Sequence, residues 1–127
     1  MINNTDKQIN KLAPEYEPYI KAVFARKAEN VIALDVSKQT SYTDMLIICS
    51  ARSNRQASAI AESIKIDLKK ADIKPLGIDG QKEGQWVLLD YGHVIIHVFY
   101  HETREYYDIE GLWADAERYN IDCFKTS

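Results

Sequence analysis

Apolar and polar positions alternate along this chain in two different periods, and the change from one to the other marks its elements. Tyr16, Tyr19, Ile20, Val23 and Phe24 recur at helical spacing. Pro14 and Pro18 can occupy a first helical turn, where a missing N–H costs little. The pattern predicts a helix ending near Glu29. Val31–Val36 and Asp44–Ser50 are short apolar runs that read as strands, with a polar, turn-like Ser37–Thr43 between them that lets them pair. Ser53 and Gln56 form a capping-box signature, and Ala57, Ile60, Ala61, Ile64, Leu68 and Ala71 then mark one helix face. Pro75 follows that helix, Leu76–Asp79 begins a third strand, and a helix between two strands implies a parallel crossover.

Gln85–Asp90 and His93–Tyr100 are the fourth and fifth strands. Tyr91-Gly92 separates them with the spacing of a two-residue hairpin loop. That register sets Asp90 opposite His93, Leu88 opposite Ile95 and Trp86 opposite His97. Side chains alternate across a strand, so one face collects Trp86, Leu88, Asp90, His93, Ile95 and His97. The other collects Val87, Leu89, Val94, Ile96 and Val98, which is purely aliphatic and must face the core. The first face mixes an aromatic anchor, aliphatics, a carboxylate and imidazoles. It reads equally as the centre of a protein–protein interface and as a second core layer packed by the C-terminal segment. That segment, from Thr103, predicts one or two short helices carrying Tyr107, Leu112 and Trp113 inward. The fold class is therefore α/β: one mixed sheet with helices packed on it. The expected division is a flexible N-terminus at 1–13, a single domain at 14–120 and a tail at 121–127.

Composition changes this picture little. A chain of 127 residues with 46% apolar and 28% charged positions is an ordinary globular domain. Charge is more informative. The formal net charge is −3 and the pI about 5.6, without a basic stripe of the kind that backbone-led nucleic-acid binding requires. Contact with RNA through Arg52, Arg55 and Lys65 is correspondingly disfavoured, and a basic protein partner fits better. Glu102–Arg118 is the most lopsided stretch, with Glu102, Glu105, Asp108, Glu110, Asp115 and Glu117 against Arg104 and Arg118. The amino-terminal residues Met1-Ile2-Asn3-Asn4 lack a secretory or transit pattern, and no apolar run is long enough to span a membrane. The expected compartment is the cytoplasm, where the Asn3-Asn4-Thr5 sequon carries no meaning.

Candidate chemistry is sparse. Cys49 lies in an apolar run and reads as a buried free thiol, Cys123 is 74 residues away, and no CxxC spacing exists. His93, His97 and His101 recur every four residues, but on a strand that spacing covers roughly 13 Å, too far for ligands about 2 Å from one metal ion. Asp35 and Asp44 could pair at the ends of neighbouring strands. They support an alternative reading as a metal-dependent nucleotide- or RNA-processing enzyme, although no GxGxxG, P-loop or GxSxG motif accompanies them. No catalytic residue, cofactor or metal is expected.

Four stretches are specific in combination. They are Ile32–Val36; Thr43–Ser50 continuing into Ser53-Asn54-Arg55; Pro75–Tyr91 with its Gly80 and Trp86-Val87-Leu88-Leu89-Asp90-Tyr91-Gly92; and His97-Val98-Phe99 followed by Glu102-Thr103-Arg104, Tyr107 and Glu110-x-Leu112-Trp113. In order and spacing, over roughly residues 18–116, they resemble the ribosomal silencing factor family, also called Iojap. The resemblance implies a five-stranded mixed sheet of nucleotidyltransferase-like topology without catalytic acids. It also implies a translational repressor that binds the fourteenth protein of the large ribosomal subunit and blocks subunit joining when nutrients are scarce, and that forms a homodimer when free. On that reading Trp86 and Leu88 are apolar anchors, Tyr91 stands at the turn tip, Asp90 and His93 are polar rim contacts, and Ile95 and His97 complete the partner-binding set. The position after Gly92 is usually an aspartate in the family and is His93 here. That departure implies partner binding sensitive to pH near neutrality.

Overall fold

The computed structural model describes residues 12–125; the expected flexible N-terminus falls almost entirely outside the described residues. A short 3-10 turn, Pro14–Tyr16, leads into α1 (Glu17–Phe24). Then come β1 (Glu29–Asp35), β2 (Met45–Ala51), α2 (Asn54–Lys70), β3 (Gly77–Asp79), β4 (Trp86–Asp90) and β5 (Val94–Tyr100). The C-terminal part holds α3 (His101–Tyr107), α4 (Ile109–Leu112), the two-residue β6 (Glu117–Arg118) and a 3-10 turn, Asp122–Phe124. The sheet has six strands, in the order β3-β4-β5-β2-β1-β6. The sixth is the edge pair that the sequence pattern missed, because two residues carry no periodicity.

β2 and β5 are the central pair and run parallel, while the other pairings are antiparallel. Every residue of β2 is buried, as expected of a strand covered on both faces. The β2–α2–β3 connection joins parallel strands, as expected, and lands two strands beyond β5. Its helix starts where the sequence places it. Ser53 Oγ accepts from the Gln56 N–H at 3.0 Å, and Gln56 Oε1 reaches back to the Arg52 N–H at 2.7 Å.

Strand alternation splits the core in two. Met45, Ile47, Cys49, Val87, Leu89, Ile96 and Val98 pack against α1 and α2 as the main core. Leu46, Ile48, Ile95 and Phe99 face the other way and form a smaller cluster with Leu34, Val36 and Ile109. Cys49 is the expected buried free thiol, its pKa pushed up to about 12 by burial. Among the described residues beyond 120, Ile121 is buried in the main core and Phe124 packs against it.

The β4–β5 hairpin differs from the sequence expectation in register. Asp90 pairs with Ile95, Leu88 with His97 and Trp86 with Phe99. The Tyr91 N–H donates to the Val94 carbonyl at 2.9 Å, so the two loop residues are Gly92 and His93 rather than Tyr91 and Gly92. Gly92 supplies the loop's positive φ of 88°. Asp90 Oδ1 accepts the Gly92 N–H at 2.8 Å and holds the turn. Tyr91 stays paired and buries its ring edge-on against Tyr19, centroids 5.5 Å apart. Moving the loop by one residue shifts each pair by two positions, which keeps every strand side chain on its expected face.

Candidate functional site

The face turned away from α1 and α2 is only half covered. At one end α3 and α4 lie over it: Ile109 packs into the smaller cluster, and the Tyr107 ring stands 5.0 Å from that of Trp86. Beyond them the sheet stays open as an apolar groove of about 330 Å³. Its floor is Leu46, Leu88, Ile95, Trp86 and His97; its walls come from Thr40, Tyr42 and Thr43 on one side and Ile109, Leu112 and Trp113 on the other. The face is therefore divided. The Phe99 end is a core layer, whereas the other end has a buried floor at Leu46 and Ile95, a half-buried Leu88 and exposed walls at Tyr42 and Leu112.

Trp86 is placed by its neighbours on all sides. Gly80 approaches the Trp86 carbonyl so closely that any Cβ there would collide with it, and its φ is 79°. The indole lies 4.8 Å from the Phe99 ring, and its Nε1–H donates to His97 Nδ1 at 3.0 Å. An imidazole that accepts at Nδ1 is neutral and carries its proton on Nε2. His97 is only 7% exposed, and burial pushes its pKa down from 6.5 to about 4.

This has a consequence for stability. Between those two pKa values the unfolded chain binds a proton that the folded one refuses, so stability is full above pH 6.5 and is lost as pH falls toward 4. The contribution is roughly 3 kcal/mol in all. Urea unfolding at pH 7.5 and pH 5 should show a smaller loss in His97→Gln, whose amide oxygen can still accept from Trp86. An identical loss in both proteins would refute this role of His97.

Four of the residues expected to bind a partner, Trp86, Leu88, Ile95 and His97, come together in the groove. The other three do not line it. Asp90 is engaged in the turn. Tyr91 is not at a turn tip but in the main core, where burial pushes its phenol up to about 12. His93 is exposed, and its ring packs toward Tyr16 and Tyr19 at 6.0 and 5.7 Å, on the α1 side. The structure adds residues that were not in the expected partner-binding set. Leu112, expected inward, is 78% exposed, and Tyr42 in the supposed polar turn is 74% exposed. The alternation of β2 was the signal for Leu46, which pairs with Ile95; nothing marked Tyr42.

Asp35 and Asp44 do meet at one corner of the sheet, but Asp35 Oδ1 is taken by the Ser37 N–H and hydroxyl at 3.0 and 2.6 Å. Asp44 fixes the start of β2 through its backbone, its N–H donating to the His93 carbonyl and its own carbonyl accepting from Val36. Among the described residues no group of three His, Cys, Asp or Glu side chains is arranged to hold a metal ion. None of the described helices is long and apolar enough to cross a membrane.

The family motif Arg104…Glu110 acquires a physical meaning here. Arg104 Nε pairs with Glu110 Oε2 at 2.9 Å, and Nη1 donates to the Asn30 carbonyl and Ser50 Oγ, both at 2.8 Å. The buried guanidinium thus ties α3 and α4 to β1 and β2, and α4 carries one wall of the groove.

Six strands with two helices on one face and a half-covered apolar face on the other make this a mixed α/β domain. A family model described as "Ribosomal silencing factor during starvation" matches residues 7–127. The chain belongs to that family. It is 41% identical over 108 residues to the ribosomal silencing factor of Chromobacterium violaceum, covering 85% of this chain and 84% of that one. A crystal structure of a protein from the same organism superposes with a TM-score of 0.76 at 35% identity, covering 89% of this chain and 88% of its own. A more distant relative, 29% identical over 90 residues, is the mouse protein named "Mitochondrial assembly of ribosomal large subunit protein 1", with 68% of this chain and 40% of that one covered.

Proposed function

We propose that this ribosomal silencing factor is a translational repressor that acts by occupancy, seating its groove on the fourteenth protein of the large ribosomal subunit and sterically blocking the small subunit from joining. The observation that carries the reading is the groove itself, an open apolar surface on an otherwise acidic, soluble-type chain. Such patches mark interaction sites, and this one is built on the residues that the family motif supplies, Trp86 and Leu88 foremost. A patch of ordinary size, about 800 Å² per partner, suffices for a stable plug. Glu102, Glu105, Asp108 and Asp115 are exposed on the segment that forms the groove wall. They would steer it toward a basic surface. No turnover is needed, and repression would matter most when nutrients are scarce. The free protein is expected to be cytoplasmic and to pair with a second copy of itself.

The experiment is sedimentation through a density gradient. The protein should travel with free large subunits and be absent from joined ribosomes, and adding it to separated subunits should lower the joined fraction. Co-migration with joined ribosomes would overturn the blocking mechanism, and no co-migration with large subunits would overturn the partner. A pH dependence of binding through His97 would fall near pH 4, where its protonation removes the acceptor that holds the Trp86 indole.

A further inference from the structure

Beyond α3 and α4, away from the groove, the structure holds a second and larger recess of about 640 Å³, at the junction of β1, the end of α1 and the C-terminal segment. Its charge runs against that of the chain. Lys27, Arg104, Arg118 and Lys125 line it, with Glu110 as the one acid, whereas the chain as a whole carries a net charge of −3. Glu110 is spent on Arg104, at 2.9 Å. Lys27 and Arg118 are exposed and make no ion pair among the described residues, whereas Lys125 pairs with Asp122 at 3.3 Å on the surface. Phe24, Val31 and Ile32 supply an apolar side.

The walls are held in unusual backbone. Lys27 and Asn30 have φ of 61° and 50°. Asp108, on the adjoining recess that shares Asn30, Arg104 and Glu110, has φ of 46°. These are three of the four non-glycine residues with positive φ among the described residues. Strain of this kind gathers at sites that bind ligands. Arg104 holds the Asn30 carbonyl, and so fixes the bulge of β1 that forms the wall.

We propose that this recess binds a small phosphorylated molecule of nucleotide size. Its phosphates would lie against Lys27 and Arg118, with Lys125 and the fixed Arg104 beside them. Its apolar body would lie along Phe24 and Ile32. A volume of this size suits one small ligand. The cations are confined to a concavity rather than laid out as a stripe, which favours a compact polyanion over a nucleic-acid strand.

Titration calorimetry on the full chain, with ATP, inorganic triphosphate, adenosine and a uridine 12-mer as probes, tests this. ATP should bind saturably at one site, and adenosine at least about tenfold more weakly. The double variant Lys27→Glu/Arg118→Glu should lose about tenfold or more in ATP affinity and still co-sediment with large subunits, since neither residue lines the groove. Circular dichroism checks its fold, and Lys27→Gln alone supplies the charge test if the double variant is unstable. No saturable binding of ATP or triphosphate below about 5 mM, binding indifferent to the charge changes, or tighter binding of the 12-mer than of ATP would each overturn the proposal.

Discussion

Trp86→Ala should weaken binding to the large subunit by about 2 kcal/mol or more, roughly thirtyfold in Kd. The indole has the features of an interface anchor. It is large, half-buried at the centre of an apolar groove, and locked by the His97 bond and by the Phe99 and Tyr107 rings. A side chain already fixed before contact loses little entropy on binding. Those same contacts mean that alanine will also cost folding stability, so the variant must be compared at a temperature where circular dichroism shows it folded. Leu112→Asp provides the independent check. Leu112 is 78% exposed on the groove wall, so a carboxylate there disturbs little in the fold yet would be buried without a partner in the complex. Both variants should fail to co-migrate with large subunits in a gradient. Normal co-migration of folded Leu112→Asp would move the binding surface off this groove.

Much of this surface was legible in the alternation of the two hairpin strands, because parity alone assigns faces. Trp86, Leu88, Ile95 and His97 were placed together by parity, and they remained together although the register was wrong by two positions. The register itself depended on which residues form the loop. The sequence pattern predicts Tyr91-Gly92 as the loop, although Gly92-His93 fits the same two-residue spacing. What chooses between them is a distant contact, the packing of Tyr91 under Tyr19, which no local pattern contains. The same holds for His93, which left the face when it became a loop residue. Tyr42 and Leu112 illustrate another limit. A hydrophobic residue exposed beside a groove looks, in sequence, like one that packs into a core, so Leu112 was read as inward. Only the path of α3 and α4 across the sheet shows that half of the face is left open.

That path hangs on one buried ion pair, and its removal should have the largest effect on the fold. Arg104 is 9% exposed and reaches three partners, Glu110, the Asn30 carbonyl and Ser50 Oγ. Glu110→Ala would leave the guanidinium buried without its counter-charge, a loss of about 3 kcal/mol or more, or roughly 10 °C in Tm. Arg104→Lys should not rescue function, since a single ammonium cannot reproduce the fork that bonds through both Nε and Nη1. A pair of this kind need not be a net source of stability, because taking both charges from water offsets much of their attraction. The double variant Arg104→Met/Glu110→Leu should therefore be less destabilised than Glu110→Ala alone, as read by urea unfolding. What the charged pair adds is placement. Arg104 is tied to the β1 bulge on one side and to α4 on the other, so it sets where Ile109, Leu112 and Trp113 stand over the sheet. The apolar double variant should thus fold but bind large subunits more weakly than the native chain. If Glu110→Ala unfolded within about 0.5 kcal/mol of the native protein, the pair would not be what holds the groove wall, and the half-open face would need another cause.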